Sequence, residues 1–487
     1  MTSSRPWLSW AGWRAWLVWP SWPSRILRIM HRGRRFTPRT SPDVRRRHYT
    51  RPAQAVVGSF AIVILLGAGL LMLPVAQAPG SSTSFVEALF TATSAVCVVG
   101  LVVVDTGTHW SLTGQLIILG LIQAGGLGIM TLATLLGIVV MRRFGIRLQL
   151  SLQTETRTFQ VADVSGIARR ILLMSLTIEA ALAAVMVTRL WTHYDESFWR
   201  GLYIGVFHAI SAFNNAGFSL FADSMSRYSA DGWMLLPAMI GVILGGIGFP
   251  VMLELWRHAR SPKLWSLHTK LTVYTTLVLL VGGITAITTL EWNNPDTLGP
   301  MGLGEKLLAG SFHGVMPRSG GLNAIDTGAM TEASLFTTIM LMFVGGGSGG
   351  TAGGIKVTTF AVLWIVLWSE MRGHPHVHAS NRRLSSGVIR QSLSLTFLSM
   401  TMLAMTTVVL LALTPFPMEQ VLFEATSAVG VVGLSTGITG DLPPFAQGFL
   451  VMIMFAGRIG PITFASALAL RERTRRYDLP EGRPIIG

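Results

Sequence analysis

Charge is scarce in this chain. Only 13% of its 487 residues are Asp, Glu, Lys or Arg, well below the roughly 25% that lets a soluble domain face water on every side. Cysteine is scarcer still: the single Cys97 excludes an internal disulfide framework and any cysteine-cluster metal site, and leaves the redox compartment unread. Two stretches, residues 77–111 and 414–447, contain no Lys or Arg, although they hold Glu87, Asp105, Glu419, Glu424 and Asp441. No secretory cleavage pattern opens the chain.

What is abundant is apolar: 50% of the residues are hydrophobic. Runs such as Ala53 to Leu73, Leu112 to Val140, Leu271 to Thr289 and Leu393 to Leu413 reach the roughly 20 residues that cross a bilayer as a helix. Most of the Lys and Arg residues fall in segments between such runs: the first 52 residues, Arg142 to Arg170, Arg257 to Lys270, Arg372 to Arg390, and Arg471 to Arg483. Basic segments that alternate with uncharged or acidic ones follow the positive-inside rule, which puts both termini and three internal loops in the cytoplasm. That distribution also sets nucleic-acid binding aside, since a nucleic-acid site gathers its basic charge on one surface.

The first 52 residues stand apart. Trp7, Trp10, Trp13, Trp16, Trp19 and Trp22 recur among arginines and prolines, a step that drifts around a helix and makes no clean apolar stripe. The expectation is a disordered cytoplasmic extension, or sequence upstream of a start near Met30, with an interfacial anchor as the alternative.

Beyond it, eight spans are expected at about 54–74, 112–140, 169–191, 232–256, 269–290, 331–368, 391–413 and 446–470, each near the bilayer-crossing length. Between each odd and even span lies a shorter, semi-polar segment, and these segments repeat. Thr91-Ala-Thr-Ser-Ala-Val-Cys-Val-Val-Gly100-Leu101 aligns with Glu424-Ala-Thr-Ser-Ala-Val-Gly-Val-Val-Gly433-Leu434. His208 to Phe218 and Phe312 to Leu322 follow the frame more loosely, always with a glycine and then a large apolar residue. The unit of about 110 residues therefore occurs four times.

A non-helical loop at membrane depth survives only if it is buried in protein or lines a watery cavity. Four of them imply one axis. Short helices dipping toward it would aim their negative C-terminal ends at the membrane centre and draw in a cation, and the loop carbonyls would replace its hydration shell. Glycine suits the loop because it takes positive φ freely. The fold class expected is an all-α membrane protein with four covalently linked span–pore helix–loop–span repeats around one pore. It has eight transmembrane helices and four re-entrant loops, with repeats over 53–140, 169–258, 268–370 and 389–470 and a cytoplasmic tail over 471–487.

A second frame lies in the span after each loop. Gly125-Gly126-Leu127-Gly128 and Gly245-Gly246-Ile247-Gly248 recur, and the fourth repeat reads Gly457-Arg458-Ile459-Gly460. Arg458 thus replaces a glycine deep in an otherwise uncharged span, and an intramembrane charge is a functional hypothesis by default; a structural cation held by buried carbonyls is the alternative. In the third repeat the run Gly345, Gly346, Gly347, Ser348, Gly349, Gly350, Thr351, Ala352, Gly353, Gly354, Ile355, Lys356 interrupts the sixth span, since so many glycines cannot sustain a helix. It is no phosphate loop: Lys356 does not follow a glycine and lacks the hydroxyl neighbour. A flexible barrier beneath the loops is expected instead.

At Thr93-Ser-Ala-Val-Cys97, Phe213-Asn-Asn-Ala-Gly217-Phe218, Arg318-Ser-Gly-Gly321, Thr351-Ala-Gly-Gly-Ile-Lys356, Phe455-Ala-Gly-Arg458 and the closing Tyr477 to Gly487, the chain resembles the Trk/Ktr/HKT superfamily of potassium and sodium transporters. Within it, the likeness is to the membrane subunits of Ktr-type bacterial potassium uptake, and it covers about residues 54 to 487. The resemblance implies a selectivity filter of four loops: Val96, Cys97, Val98, Val99 and Gly100; Phe213, Asn214, Asn215, Ala216 and Gly217; Pro317, Arg318, Ser319, Gly320 and Gly321; Val429, Gly430, Val431, Val432 and Gly433. It implies a gate made of the 345–354 run with Lys356, and Arg458 obstructing the pore. It further implies potassium held at filter carbonyls as the substrate, sodium as a candidate activator or coupling ion, and no cofactor bound by this chain. A homodimer docked on a cytoplasmic ring of nucleotide-binding subunits, in a bacterial cell membrane, completes the picture. Glycine rather than serine in the first loop resembles the potassium-preferring members. Pro317, Gly320 and Leu322 depart from the family pattern of alanine, alanine and phenylalanine.

Two other classes were weighed. A sodium- or proton-coupled secondary transporter also uses repeats and broken helices, but commonly two inverted repeats rather than four parallel ones. A membrane enzyme would draw on His208, His313, Glu87 or Glu424, around which no HExxH pair or nucleophile motif stands.

Overall fold

The structure, a computed structural model, describes residues 52–145 and 164–460. The extension expected over 1–52, but for its last residue, and the tail expected over 471–487 lie outside the described residues.

The described chain is helical apart from one short hairpin. In order come α1 (Pro52–Leu71), α2 (Phe85–Cys97), α3 (Thr106–His109), α4 (Leu112–Gly145), α5 (Val164–His193), α6 (Phe198–Phe213), α7 (Gly232–Ile247) and α8 (Phe249–His258). Then follow α9 (Leu267–Glu291), α10 (Leu303–Val315), α11 (Glu332–Phe343), α12 (Val357–Met371), the antiparallel strands β1 (His378–Ala379) and β2 (Arg382–Arg383), α13 (Ser386–Leu413), α14 (Met418–Gly430) and α15 (Pro444–Ile459).

Local chemistry fixes where the short helices begin. Ser84 accepts from the Glu87 amide at 3.3 Å while the Glu87 carboxylate accepts from the Ser84 amide at 2.7 Å, a reciprocal cap that starts α2. Ser197 caps α6 in the same way through the Arg200 amide. Each short helix then packs on the long helix before it: α2 on α1, α6 on α5, α10 on α9, α14 on α13. Phe90, Phe207, Phe312 and Phe423 of these short helices are fully buried in the core, and so are the apolar residues that follow the loop glycines, Leu101, Phe218, Leu322 and Leu434. The large residue after each glycine is therefore a packing anchor.

The outward faces are the reverse of a water-soluble surface. Phe397, Val278 and Leu66 stand well exposed on α13, α9 and α1, a distribution that suits hydrocarbon. Among the described residues α5, α9 and α13 are long and apolar enough to cross a bilayer, and α7 with α8 makes a fourth if the bent pair is one span.

The span expected over 232–256 turns by 101° between α7 and α8, because Gly248 takes φ 98° and Pro250 lies at the start of the next helix. Ser348 to Gly350 pack into the corner so closely that a Cβ on Gly248 would come 2.8 Å from the Ser348 carbonyl oxygen. The span expected over 331–368 is broken where the glycine run predicts, between Phe343 of α11 and Val357 of α12.

Candidate functional site

The four short helices α2, α6, α10 and α14 end in four loops with one shared backbone pattern. Two residues before each glycine the chain enters the left-handed region, at Val98 (φ 55°), Asn215 (59°), Ser319 (73°) and Val431 (56°), and the glycines follow at 99°, 69°, 69° and 95°. For valine this conformation is strained, and such strain persists only where the surroundings over-determine it. Side chains supply part of that constraint. Ser94 Oγ accepts from the Gly100 amide and Ser427 Oγ from the Gly433 amide, both at 3.0 Å, while Ser211 donates to the Phe218 carbonyl at 2.7 Å.

The glycines meet one another. A Cβ on Gly100 would lie 2.6 Å from the Ala216 oxygen, 2.9 Å from Gly217 Cα and 3.2 Å from Gly433 Cα; one on Gly217 would lie 2.9 Å from Gly321 Cα; one on Gly321 would lie 2.7 Å from the Val432 oxygen and 3.3 Å from Gly433 Cα. Chain order is thus preserved as a closed ring, Gly100 to Gly217 to Gly321 to Gly433 and back. Above it opens a cavity of about 290 Å³ lined by the same four glycines with Asp105, Ser219, Asn323, Asp326, Ser435 and Thr439.

Of the residues expected in the loops, Val96, Cys97, Phe213, Val429 and Gly430 still belong to the helix ends, and Val99, Ala216, Gly320 and Val432 complete the turns. Pro317 sits in the turn after α10. Arg318 directs its guanidinium away from the ring, to the Thr276 carbonyl and the Gly345 carbonyl, both at 3.0 Å. Asn214 likewise faces backward, donating at 2.9 Å to Gln123 and at 3.0 Å to Glu179, two buried or half-buried side chains that sequence reasoning had not singled out.

The glycine pairs in the following helices have a steric cause. A Cβ on Gly125, Gly245 or Gly457 would collide with the carbonyl oxygen of Val96, Phe213 or Val429, so α4, α7 and α15 press directly on the ends of the short helices. The next glycine, Gly126, abuts the Asn214 side chain, and Gly246 lies near Asn215.

Beneath the ring runs the segment from Gly345 to Lys356. It is pinned by backbone bonds: Gly347 donates to Gly246 at 2.7 Å, Thr351 to Gly245 at 3.1 Å, and Phe249 to Gly349 at 3.2 Å. Side chains tie it to the loops, Thr351 Oγ1 donating to Asn215 Oδ1 at 2.8 Å and Gly353 donating to Ser319 Oγ at 3.1 Å. Gly346, Gly350 and Gly354 lie in the same close packing, and Ala352 is buried there. Arg458 donates through Nη1 to the Thr351 carbonyl, while its Nε and Nη2 have no hydrogen-bond partner among the described residues. Lys356 donates to the Ala352 carbonyl at 2.6 Å. Neither cation takes part in an ion pair among the described residues. No group of His, Cys, Asp or Glu able to hold a metal ion occurs among the described residues.

A family model described as "TrkH: Cation transport protein" matches residues 27–473. The chain is 38% identical over 437 residues to the Ktr system potassium uptake protein B of Bacillus subtilis, covering 90% of this chain and 97% of that one. It is 32% identical over 443 residues to the potassium/sodium uptake protein NtpJ of Enterococcus hirae, again covering 90% and 97%. The crystal structure of the potassium transporter TrkH from Vibrio parahaemolyticus shares the fold with a TM-score of 0.68, at 16% identity, over 88% of this chain and 87% of that one.

Proposed function

The chain belongs to the TrkH family of cation transport proteins, and on that premise we propose that it takes up potassium across a cell membrane through the point where its four loop glycines meet. The observation that carries this reading is the closed ring of Gly100, Gly217, Gly321 and Gly433, each too close to its neighbours for a side chain. Carbonyls brought that near one axis form a dehydrating filter for a cation. The names of the relatives, potassium and potassium/sodium uptake proteins, supply the ion.

In this reading the filter consists of the four loops ending at those glycines, and the chain comprises four span–helix–loop–span repeats with eight spans. The repeats cover 53–140, 169–258, 268–370 and 389–470, flanked by a cytoplasmic extension and tail. The segment Gly345 to Gly354, with Lys356, is the barrier, and Arg458 holds it closed while repelling the cation below the filter. Both termini lie in the cytoplasm of a bacterium. The chain works as a homodimer on a ring of nucleotide-binding subunits, in keeping with the multi-part system for which its relative is named.

A second reading, sodium-coupled uptake, has the name of the Enterococcus hirae relative in its favour. Uptake in cells stripped of their own potassium systems, with and without external sodium, tests both. Restored growth at low potassium is expected; no potassium accumulation at verified membrane expression would overturn the proposal, and strict stoichiometric entry of sodium would favour coupling.

A further inference from the structure

Three of the four short helices carry a buried titratable side chain that the conduction pathway leaves unexplained. His208 and Glu424 occupy the same place in the repeat frame, and His313 stands one place later; all three are essentially inaccessible. Each reaches over to the segment just after its own loop glycine. His208 Nδ1 lies 2.9 Å from the Ile204 carbonyl, which can only accept, so Nδ1 carries a proton, and Nε2 lies 3.0 Å from Ser219 Oγ, whose single hydrogen also has the Ser224 carbonyl as an acceptor at 3.2 Å. His313 Nε2 accepts from the amides of Ala324 and Ile325, at 3.0 and 3.1 Å. Glu424 Oε1 accepts from Ser435 Oγ and, at 3.2 Å, from the Thr436 amide, while Oε2 accepts from Thr439 Oγ1 at 3.0 Å. In the first repeat Thr91 takes this place, and its buried hydroxyl has no hydrogen-bond partner among the described residues.

The gripped atoms are those at the mouth. Ser219, Ser435 and Thr439 line the cavity above the glycine ring. Ser435 Oγ and Thr439 Oγ1 lie 2.9 Å apart; with both hydrogens drawn to the Glu424 carboxylate and one Ser435 lone pair taken by the Gly437 amide at 2.9 Å, the remaining hydroxyl lone pairs are available to an arriving cation. Glu424 takes part in no ion pair among the described residues. A buried carboxylate without a cationic partner is costly, and the partner this geometry provides is the ion itself.

We propose that Glu424, His208 and His313 are positioning residues for ion capture, and that Glu424, acting through the hydroxyls of Ser435 and Thr439, builds an outer site for a partly dehydrated monovalent cation above the filter. The first repeat, with Thr91, leaves its quarter of the mouth unbraced. The inference rests on the reading of the glycine ring as the potassium path.

The test is initial potassium uptake by vesicles of the full chain at matched protein amounts, over a range of external potassium. In Glu424→Gln the half-saturating potassium concentration rises about tenfold, the value of one charge-assisted hydrogen bond, while the rate at saturation stays within about twofold. In a chain already carrying Ser435→Ala and Thr439→Val, adding Glu424→Gln changes the half-saturation little, because the residue acts through those two hydroxyls. An unchanged half-saturation in the folded Glu424→Gln variant overturns the inference, as does full additivity in the triple variant. If Glu424→Gln does not fold, the Ser435→Ala, Thr439→Val chain alone decides: its half-saturation must rise. A parent chain that takes up no potassium sinks the conduction reading; a conducting parent with insensitive variants sinks only the outer site.

Discussion

Replacing Arg458 by alanine removes a charge that meets no carboxylate among the described residues. Its side chain is 6% exposed, and among the described residues one of its three nitrogens is bonded, to the neutral Thr351 carbonyl of the glycine-rich segment. A fixed unit charge acting on a passing cation from roughly 8 Å, through an effective dielectric of about 20, raises its energy by about 2 kcal/mol. That corresponds to an upper bound of about thirtyfold in rate. Lys356 remains beside the same segment, which keeps its backbone bonds to Gly245 and Gly246, so an increase of about three- to tenfold in maximal flux is expected once these remaining obstacles are allowed for. Arg458→Lys should stay closer to the parent, since charge survives while the planar fork of donors is lost. Tracer efflux from vesicles at matched protein amounts measures both. A folded alanine variant whose maximal flux is unchanged or lower refutes the electrostatic reasoning and leaves Arg458 as a structural cation.

If the run between Gly345 and Gly354 is the barrier, shortening it should raise basal flux; flux of the shortened and parent chains at matched protein amounts checks it, and an unchanged flux places the gate elsewhere. Gly245→Ala should cost several kcal/mol of stability, since its Cβ collides with the rigid Phe213 carbonyl and overpacking costs about 1–3 kcal/mol even where neighbours can yield; thermal unfolding in detergent with a marked fall in midpoint is the expected result, and a parent-like midpoint shows that α7 is free to shift. Arg318→Gln should loosen the barrier without touching the ring, because the two carbonyls it holds belong to α9 and to the first residue of the barrier; a raised leak with an unaltered ion ratio is expected, and a changed ratio with no leak contradicts it.

The glycines of the ring were legible in the sequence because one backbone requirement, a positive φ, restricts the position to few residue types and recurs in register. The left-handed residues two places earlier were not: valine at 98 and 431 is among the poorest candidates for that conformation, and only the packing around the finished ring imposes it. The paired glycines of α4, α7 and α15 were visible as a pattern, yet their cause, contact with carbonyls of Val96, Phe213 and Val429, joins residues distant in sequence. The same holds for the bend at Gly248, whose corner Ser348 to Gly350 fill, and for Glu179 and Gln123, whose partner Asn214 stands 35 and 91 residues further along the chain. Arg318 lies in the turn after α10, and the direction of its long side chain is set by acceptors that no local motif encodes.

The ring itself is tested most directly by the ratio of potassium to sodium flux in Gly433→Ser and Gly100→Ser against the parent. A Cβ on Gly433 would collide with the Val99 carbonyl oxygen, and one on Gly100 would lie 2.6 Å from the Ala216 oxygen, at backbone angles of 95° and 99° that L side chains rarely adopt. Competition of the two ions, measured in vesicles of folded protein, should show a parent that prefers potassium and serine variants in which the preference narrows. Variants that conduct with the parent's ratio would contradict the account and take these glycines out of the ion's path.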